Sequence, residues 1–308
     1  MSVETDLLLD RRRLKRRLSF WRGAAVLAVV AAALAAVGRF GGIERAHVAR
    51  LTVNGVITQD RDLNRAVRKL ARDDRVKALL LEVNSPGGSV AGGESLHDAV
   101  AAVAAKKPVV VVMGGLAASA AYMISAPATR IYALPATLTG SIGVLFESGE
   151  ISGLLQKLGV DTTTLVSGPL KDQPSFTHPL SPEGRTVLQG LVMNIYDQFV
   201  AIVAQGRHLD PARVRALADG RAYTGQQALG LGLVDALGDE DDARDWLARA
   251  KGIPRSLPVE DVETESLAVR TLGASFGPLL QGVVKTFVGQ GVTLDGAQAI
   301  WQPAAASE

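Results

Sequence analysis

The sequence predicts an α/β protein built on a parallel sheet, and three observations predict it. Val76–Val83 (VKALLLEV) and Pro108–Met113 (PVVVVM) are apolar runs of strand length, broken only by Lys77 and Glu82 in the first. Stretches of helical spacing stand between and after them, and Gly- or Pro-bearing turns punctuate the alternation. Strands that are apolar at nearly every position are buried on both faces, which calls for helices covering both sides of a parallel sheet.

The first strand is Val48–Val53, which alternates weakly and runs through the turn signal Asn54-Gly55 into Val56-Ile57. Asp62–Arg72 carries Leu63, Ala66, Val67 and Leu70 at helical spacing. After Val76–Val83 comes the turn Asn84-Ser85-Pro86-Gly87-Gly88, then a small-residue helix over Ser89–Lys106. The strand Pro108–Met113 leads to a helix from about Ala117 to Ser125, a short strand at Arg130–Ala133, and a Gly/Ser-rich strand over Thr137–Val144. The later half is more helical. Ile151–Leu158 reads as a short helix, Thr162–Val166 as a strand, and Ser181–Gly206 as a long helix opened by Ser-Pro-Glu, a good N-cap and first-turn pairing. Pro211–Leu217, Gly225–Leu229 and Glu240–Lys251 are shorter helices. Periodicity fades from about Ser256, and the end of the chain reads as a mobile tail with an amphipathic piece at Leu279–Val288.

Charge divides the chain. Its 308 residues carry a formal net charge of +2, yet residues 1–22 hold seven Lys and Arg side chains against three carboxylates. The remainder is therefore slightly acidic, which disfavours a nucleic-acid-binding body. Gly23–Gly38 follows as sixteen residues without a charge. That run spans about 24 Å as a helix, and Phe20 and Trp21 extend it at the interface, with Arg22 reaching back to the headgroups. Seven charges before the span and three soon after it predict an uncleaved anchor with the N-terminus inside and the body across the membrane. A cleaved signal peptide fits the same stretch, and an Ala-rich buried helix fits it less well. The predicted organisation is a basic cytoplasmic N-terminus over 1–22, a transmembrane anchor over 23–38, a main α/β body over 46–252 and a tail over 253–308.

There is no cysteine, which excludes disulfide scaffolds, thiolate metal sites and Cys nucleophiles, and the four histidines are scattered. Three segments stand out for chemistry. Asn84–Gly88 lies at the carboxyl end of a buried strand, where open α/β sheets bind ligands, and its paired glycines can turn N–H groups toward an oxyanion. A plain tight turn accounts for these five residues equally well. Met113–Tyr122 (MGGLAASAAY) places Ser119 after a strand and a Gly-Gly turn, near a helix start. That is the logic of a nucleophile elbow, though without its G-x-S-x-G sequence, and an ordinary N-cap serine explains it too. Ser167–Ser175 sets Lys171 in a Gly/Pro-framed loop. Between Ile131 and Gly184 the only Lys or Arg side chains are Lys157, on an amphipathic helix, and Lys171. A lysine made neutral by burial can serve as a base, whereas arginine cannot. A solvated loop lysine is the plain alternative. Ser141, within Thr137–Val144, could hydrogen-bond such a lysine, or sit in a close-packed strand.

Taken in order, VNSPGG (83–88), MGGLAASAAY (113–122), TLTGSIGV (137–144), SGPLKD (167–172) and DGRAYTGQQALGLGLVDALG (219–238) resemble the S49 peptidase family. The likeness runs from about Val48 to Leu237 and is strongest to the short, membrane-anchored bacterial members that degrade spent signal peptides. It implies a ClpP/crotonase-type spiral α/β fold, no cofactor, and ring-like homo-oligomers in which neighbours complete the substrate groove. It implies Ser119 as nucleophile, Lys171 as general base, Ser141 as the residue that orients the lysine, and the Gly88 and Ala120 N–H groups as the oxyanion hole. The implied partners are hydrophobic peptides and the cytoplasmic membrane, with the catalytic body on the extracytoplasmic side and no nucleic acid.

One departure concerns the site: Ala120-Ala121 stands where the family usually has Gly-Gly, so two methyl groups must find room beside the nucleophile. Two rival functions remain at this point. A crotonase-like acyl-CoA enzyme would use the glycine oxyanion hole without Ser119, and a non-catalytic membrane scaffold would use neither.

Overall fold

The computed structural model describes residues 21–30, 45–262 and 298–300. The chain divides between Arg45 and Ala46 into two units. Of the first unit, helix α1 (Trp21–Val30) is described, and it exposes Trp21, Val26, Leu27, Val29 and Val30. The rest of the expected span at 23–38, and the amphipathic piece expected at Leu279–Val288, lie outside the described residues.

Among its described residues the second unit has the strands β1 (His47–Asn54), β2 (Val76–Ser85), β3 (Gly87–Ser89), β4 (Val109–Ala118), β5 (Arg130–Ala133), β6 (Leu138–Gly140), β7 (Ala222–Thr224), β8 (Ala236–Leu237), β9 (Val259–Asp261) and β10 (Gln298–Ile300). Its helices are α2 (Arg61–Leu70), α3 (Val90–Ala104), α4 (Ala120–Ser125), α5 (Ser152–Lys157), α6 (Pro182–Arg207), α7 (Pro211–Leu217), α8 (Gly225–Leu231) and α9 (Glu240–Lys251). The main sheet has the order β7–β6–β4–β2–β1–β9, with β5 also against β4 and β8 against β5. Every pairing in it is parallel except β6–β7.

Alternation along the central strands splits the core into two layers. Leu79, Leu81, Val83, Val109, Val111 and Met113 pack with side chains of α3, α4 and α6 on one face. Val48, Ala78, Leu80 and Val110 pack against Ala243 and Leu247 of α9 on the other. Both layers exclude water, so the strands read as continuous apolar runs. Side-chain caps fix where the covering helices begin. Asp60, Ser89, Ser181, Asp210, Thr224 and Asp239 each accept backbone N–H bonds in the first turn, and Thr224 and Asp239 complete capping boxes.

Strand β4 governs where the site falls. Its first half, Val110–Met113, pairs with β5, and its last three residues, Leu116–Ala118, pair with β6. Between the halves its register against β2 slips from Val83 opposite Met113 to Ser85 opposite Ala117, which places extra residues on β4. Side chains hold this bulge. The Leu116 N–H donates to Asn84 Oδ1 at 3.2 Å, Thr137 Oγ1 donates to the Gly114 carbonyl at 2.7 Å, and Thr139 Oγ1 donates to the Ala117 carbonyl at 2.8 Å. A Cβ on Gly114 would stand 3.3 Å from the Asn84 side chain, so a glycine lets the two segments close.

Four details differ from the sequence expectation. The helix expected from Ala117 begins at Ala120, because β6 keeps Ala117 and Ala118 in the sheet. The strand expected at Thr137–Val144 is confined to Leu138–Gly140, ended by the positive φ of Gly140 (75°) and Ser141 (48°). Thr162–Val166 is not a strand: it has no ladder partner among the described residues, and Leu165 is 93% exposed. Its β-branched residues supply propensity without a neighbour to pair with. Finally, the sheet continues past residue 252 through β9, which lies parallel to β1 and is tied to it by Arg50 Nε donating to Asp261 Oδ1 at 2.7 Å.

Replacing Asn84 with Ala removes the acceptor for the Leu116 N–H. The expected cost is about 1 kcal/mol of unfolding free energy, read by urea denaturation. Unchanged stability would show that the bulge holds itself.

Candidate active site

Ser119 occupies the single residue between β4 and α4, and its backbone is held at φ 59°, ψ −120°. Only two other described residues besides glycine have positive φ, Ser141 and His208. The conformation costs a side-chain-bearing residue about 1–3 kcal/mol and persists only where its surroundings enforce it. Here the Ser119 N–H donates to the Gly140 carbonyl at 2.8 Å, and its carbonyl accepts the first helical bond from the Met123 N–H at 2.9 Å.

The same geometry separates Ser119 from an ordinary helix cap. Ser89 and Ser181 cap their helices from extended backbone, at φ −67° and −69°, and each side chain accepts an N–H. Ser119 has neither property: its side chain makes no cap bond, although the residue is only 1% exposed. A buried serine with a strained backbone and an uncommitted hydroxyl is arranged as nucleophile elbows are. The Ala120 N–H belongs to the first turn of α4, ahead of the first helical bond, and so has no partner within the helix.

The Ala120 methyl group is accommodated from α3. A Cβ built on Gly93 would come 3.0 Å from the Ala120 Cβ, so Gly93 leaves the space that Ala120 fills. On its far side α4 is tied down by Tyr122, whose hydroxyl donates to the Leu233 carbonyl at 2.8 Å. Complete burial pushes the Tyr122 phenol well above its ordinary range and keeps it a neutral donor.

Gly88 lies in β3, beside α4. The Ile57 N–H donates to the Gly87 carbonyl at 2.8 Å, and the Ser89 N–H donates to the Ile57 carbonyl at 2.9 Å. Ile57 thus passes so close that any Cβ on Gly88 would collide with its carbonyl oxygen. The turn into β3 is fixed by Ser85, fully buried, whose Oγ accepts the Gly87 N–H at 3.1 Å.

The structure brings Ser119, Ala120 and Gly88 into neighbouring elements. It treats the other two predicted residues differently. The Ser141 hydroxyl donates to the Gly220 carbonyl at 3.1 Å. Lys171 is exposed, in a loop where its N–H donates to the Gly168 carbonyl at 3.0 Å, and it makes no hydrogen bond to Ser119 or Ser141 among the described residues. No histidine bonds Ser119 either; His178, for example, is paired with Asp172 at 2.7 Å. Sequence reasoning missed Asn84 and Ile57 as supports of the site, and it missed β10. The three residues of that strand run antiparallel to β3, with Ala299 opposite Gly88.

A parallel α/β core with an elbow serine at a strand end and a glycine-rich edge beside it defines a ClpP-like hydrolase, and a Clp protease family model matches residues 52–139. The model of peptidase family S49 matches residues 101–254, and the chain belongs to that family. A protein of Synechocystis sp. named as a protease is 39% identical over 230 residues, covering 74% of this chain and 83% of its own length. A protein of Enterococcus faecium named as a signal peptide peptidase, SppA, is 40% identical over 71% of this chain and 68% of its own. Protease 4 of Salmonella typhi is 44% identical over 58% of this chain and 29% of its own. The chain is a serine peptidase of the signal peptide peptidase A type.

Replacing Ser119 with Gly relieves the positive-φ strain, so thermal unfolding should show a stabilisation of about 1 kcal/mol, whereas Ser119→Ala keeps the strain and should leave stability near that of the wild type. Equal stability of the Gly and Ala variants would mean that Ser119 is unstrained.

Proposed function

We propose that the chain is a membrane-anchored serine endopeptidase that hydrolyses hydrophobic peptides, spent signal peptides among them, through an acyl-enzyme on Ser119. The observation that carries this reading is the backbone of Ser119 at φ 59°, ψ −120° at the strand–helix junction, with a side chain that makes no cap bond. In the proposed step Lys171, neutral, takes the hydroxyl proton as Oγ adds to the peptide carbonyl, and Ser141 orients the lysine. The Gly88 and Ala120 N–H groups receive the negative charge that develops on the carbonyl oxygen. Lys171 then gives its proton to the departing amine, and water hydrolyses the ester.

Lysine can act so only where it is shielded from water. The segment around Lys171 exposes Ile151, Leu154, Leu158, Leu165, Leu170 and Phe176, an apolar set left open to solvent among the described residues. In this reading a second copy of the chain covers that set, which closes the Lys171 loop over a Ser119 and strips water from the ammonium. The charge-free run at Gly23–Gly38, with seven basic residues ahead of it, is the proposed anchor, and it places the body on the extracytoplasmic side of a bacterial cytoplasmic membrane. An acyl-CoA enzyme on the same fold would have no use for the strain at Ser119.

The test is cleavage of a fluorogenic peptide bearing small aliphatic residues by the full-length protein in detergent. Activity should fall by about 100-fold or more in Lys171→Ala, and Lys171→Arg should not restore it because a guanidinium cannot accept the proton. Undiminished turnover by either variant removes Lys171 as the base.

A further inference from the structure

The slightly acidic body carries one strongly basic helix. Residues 61–72 (RDLNRAVRKLAR) hold five Lys and Arg side chains against the single carboxylate of Asp62. Val67 is the only buried residue of α2, so the helix turns its charge to solvent. Arg61, Arg65 and Arg68 follow one another at spacings of four and three, which sets them along one exposed side, and Arg72 follows in the turn after the helix. Arg65 pairs with Asp62 at 3.1 Å, whereas Arg61, Arg68 and Arg72 make no ion pair or side-chain hydrogen bond among the described residues. Two neighbouring carboxylates are engaged elsewhere: Asp60 caps the first turn of α2, and Asp73 accepts from Arg75 at 2.9 and 2.6 Å. Between α2 and α3 runs a groove of about 840 Å³, lined by Arg61, Arg65, Arg68, Arg72 and Lys106. Its wall is polar as well, since Asn64 Nδ2 donates to Ser95 Oγ at 3.0 Å from one helix to the other.

Unpaired guanidinium groups around a polar groove suit phosphate, whose oxygens they bond in pairs. Two observations select a lipid surface as the source of that phosphate. The first is charge asymmetry across the sheet. Val67 belongs to the core layer shared with α3, while the opposite layer is closed by α9, which opens with Glu240, Asp241 and Asp242. An anionic surface therefore attracts one side of the body more than the other. The second is where the arginines stand. A cavity beside α2 is lined by both Arg65 and His47, the first residue of β1, so the row lies next to the point where the chain enters the body. Ala46 is only eight residues past Gly38, the end of the charge-free run, a reach of about 29 Å at most for extended chain.

We propose that the groove between α2 and α3 docks anionic lipid headgroups, with Arg61, Arg65, Arg68, Arg72 and Lys106 on the phosphates of the bilayer surface. The inference uses the proposed anchor for proximity and is independent of the chemistry at Ser119. Each cation beside a negatively charged leaflet adds an attraction that salt screens. Together they hold the body in one orientation on the bilayer.

The chain has no cysteine, so Ala105→Cys, at an exposed position lining the groove, takes a single environment-sensitive fluorophore. Ala250→Cys, exposed in α9, is the control. Each full-length protein is placed in lipid discs of phosphatidylcholine alone or of phosphatidylcholine mixed equally with phosphatidylglycerol. The label at position 105 should shift to the blue in the mixed discs alone, and about 0.5 M salt should reverse the shift. The label at position 250 should not respond. Combining Arg61→Gln, Arg65→Gln, Arg68→Gln and Arg72→Gln should reduce the shift about tenfold or more, while thermal unfolding in detergent stays unchanged. Equal shifts in both lipids, a shift that survives the four substitutions, or the same shift at position 250 overturns the inference. So does an equal shift produced in detergent by inorganic phosphate or an oligonucleotide, which would give the groove to a soluble anion. Release of the protein from the discs by salt would remove the anchor reading instead, and the lipid dependence of the label would still decide the groove.

Discussion

A serine at φ 59°, ψ −120° stays there only if both flanking elements are fixed from outside. On the strand side, β6 receives the Ser119 N–H at Gly140 and holds Leu116–Ala118 in the sheet. On the helix side, α4 is buried along its whole length and pinned by the Tyr122 hydroxyl on the Leu233 carbonyl. The chain has one residue in which to change from strand to helix, and that residue absorbs the whole change of direction. The same junction leaves the Ser119 side chain without a cap bond.

The other parts of the site are tied to this junction by hydrogen bonds to backbone groups. Asn84 joins the end of β2 to the bulge in β4, so the glycine-rich turn after β2 and the serine after β4 keep a fixed relation. Ile57 by its backbone and Ser85 by its Oγ hold β3, and they leave one face of Gly88 open to a strand. Gly93 opens the space that Ala120 needs. The base candidate is built on another principle, in an exposed loop remote from the two core layers. In the proposed mechanism the oxyanion donors and the nucleophile are thus held within one chain, while the proposed base depends on what covers the Lys171 segment.

Much of this was legible in the sequence, for identifiable reasons. Leu79–Leu81 and Val109–Val112 announced a doubly covered sheet because both faces are buried, and Ser181-Pro182 announced a helix start because caps act locally. Ser119 and Gly88 were legible as candidates because glycine pairs precede a helix at strand ends. What escaped depends on distant partners. The helix start slipped from Ala117 to Ala120 because β6, some twenty residues away, claims the intervening residues. Thr162–Val166 had strand composition and no neighbour. β9 and β10 are three-residue strands whose existence rests on edges offered by β1 and β3, and no local pattern marks them. The positive φ of Ser119, which separates a nucleophile from a cap, is likewise a property of the junction and not of its residues.

The most direct test of the central claim is covalent labelling of the full-length protein in detergent with a fluorophosphonate, followed by peptide mass mapping of the modified side chain. The account predicts one adduct, on Ser119, and slower labelling when Lys171 is replaced by Ala. An adduct on any other serine, or peptide cleavage that continues after full modification of Ser119, would contradict it.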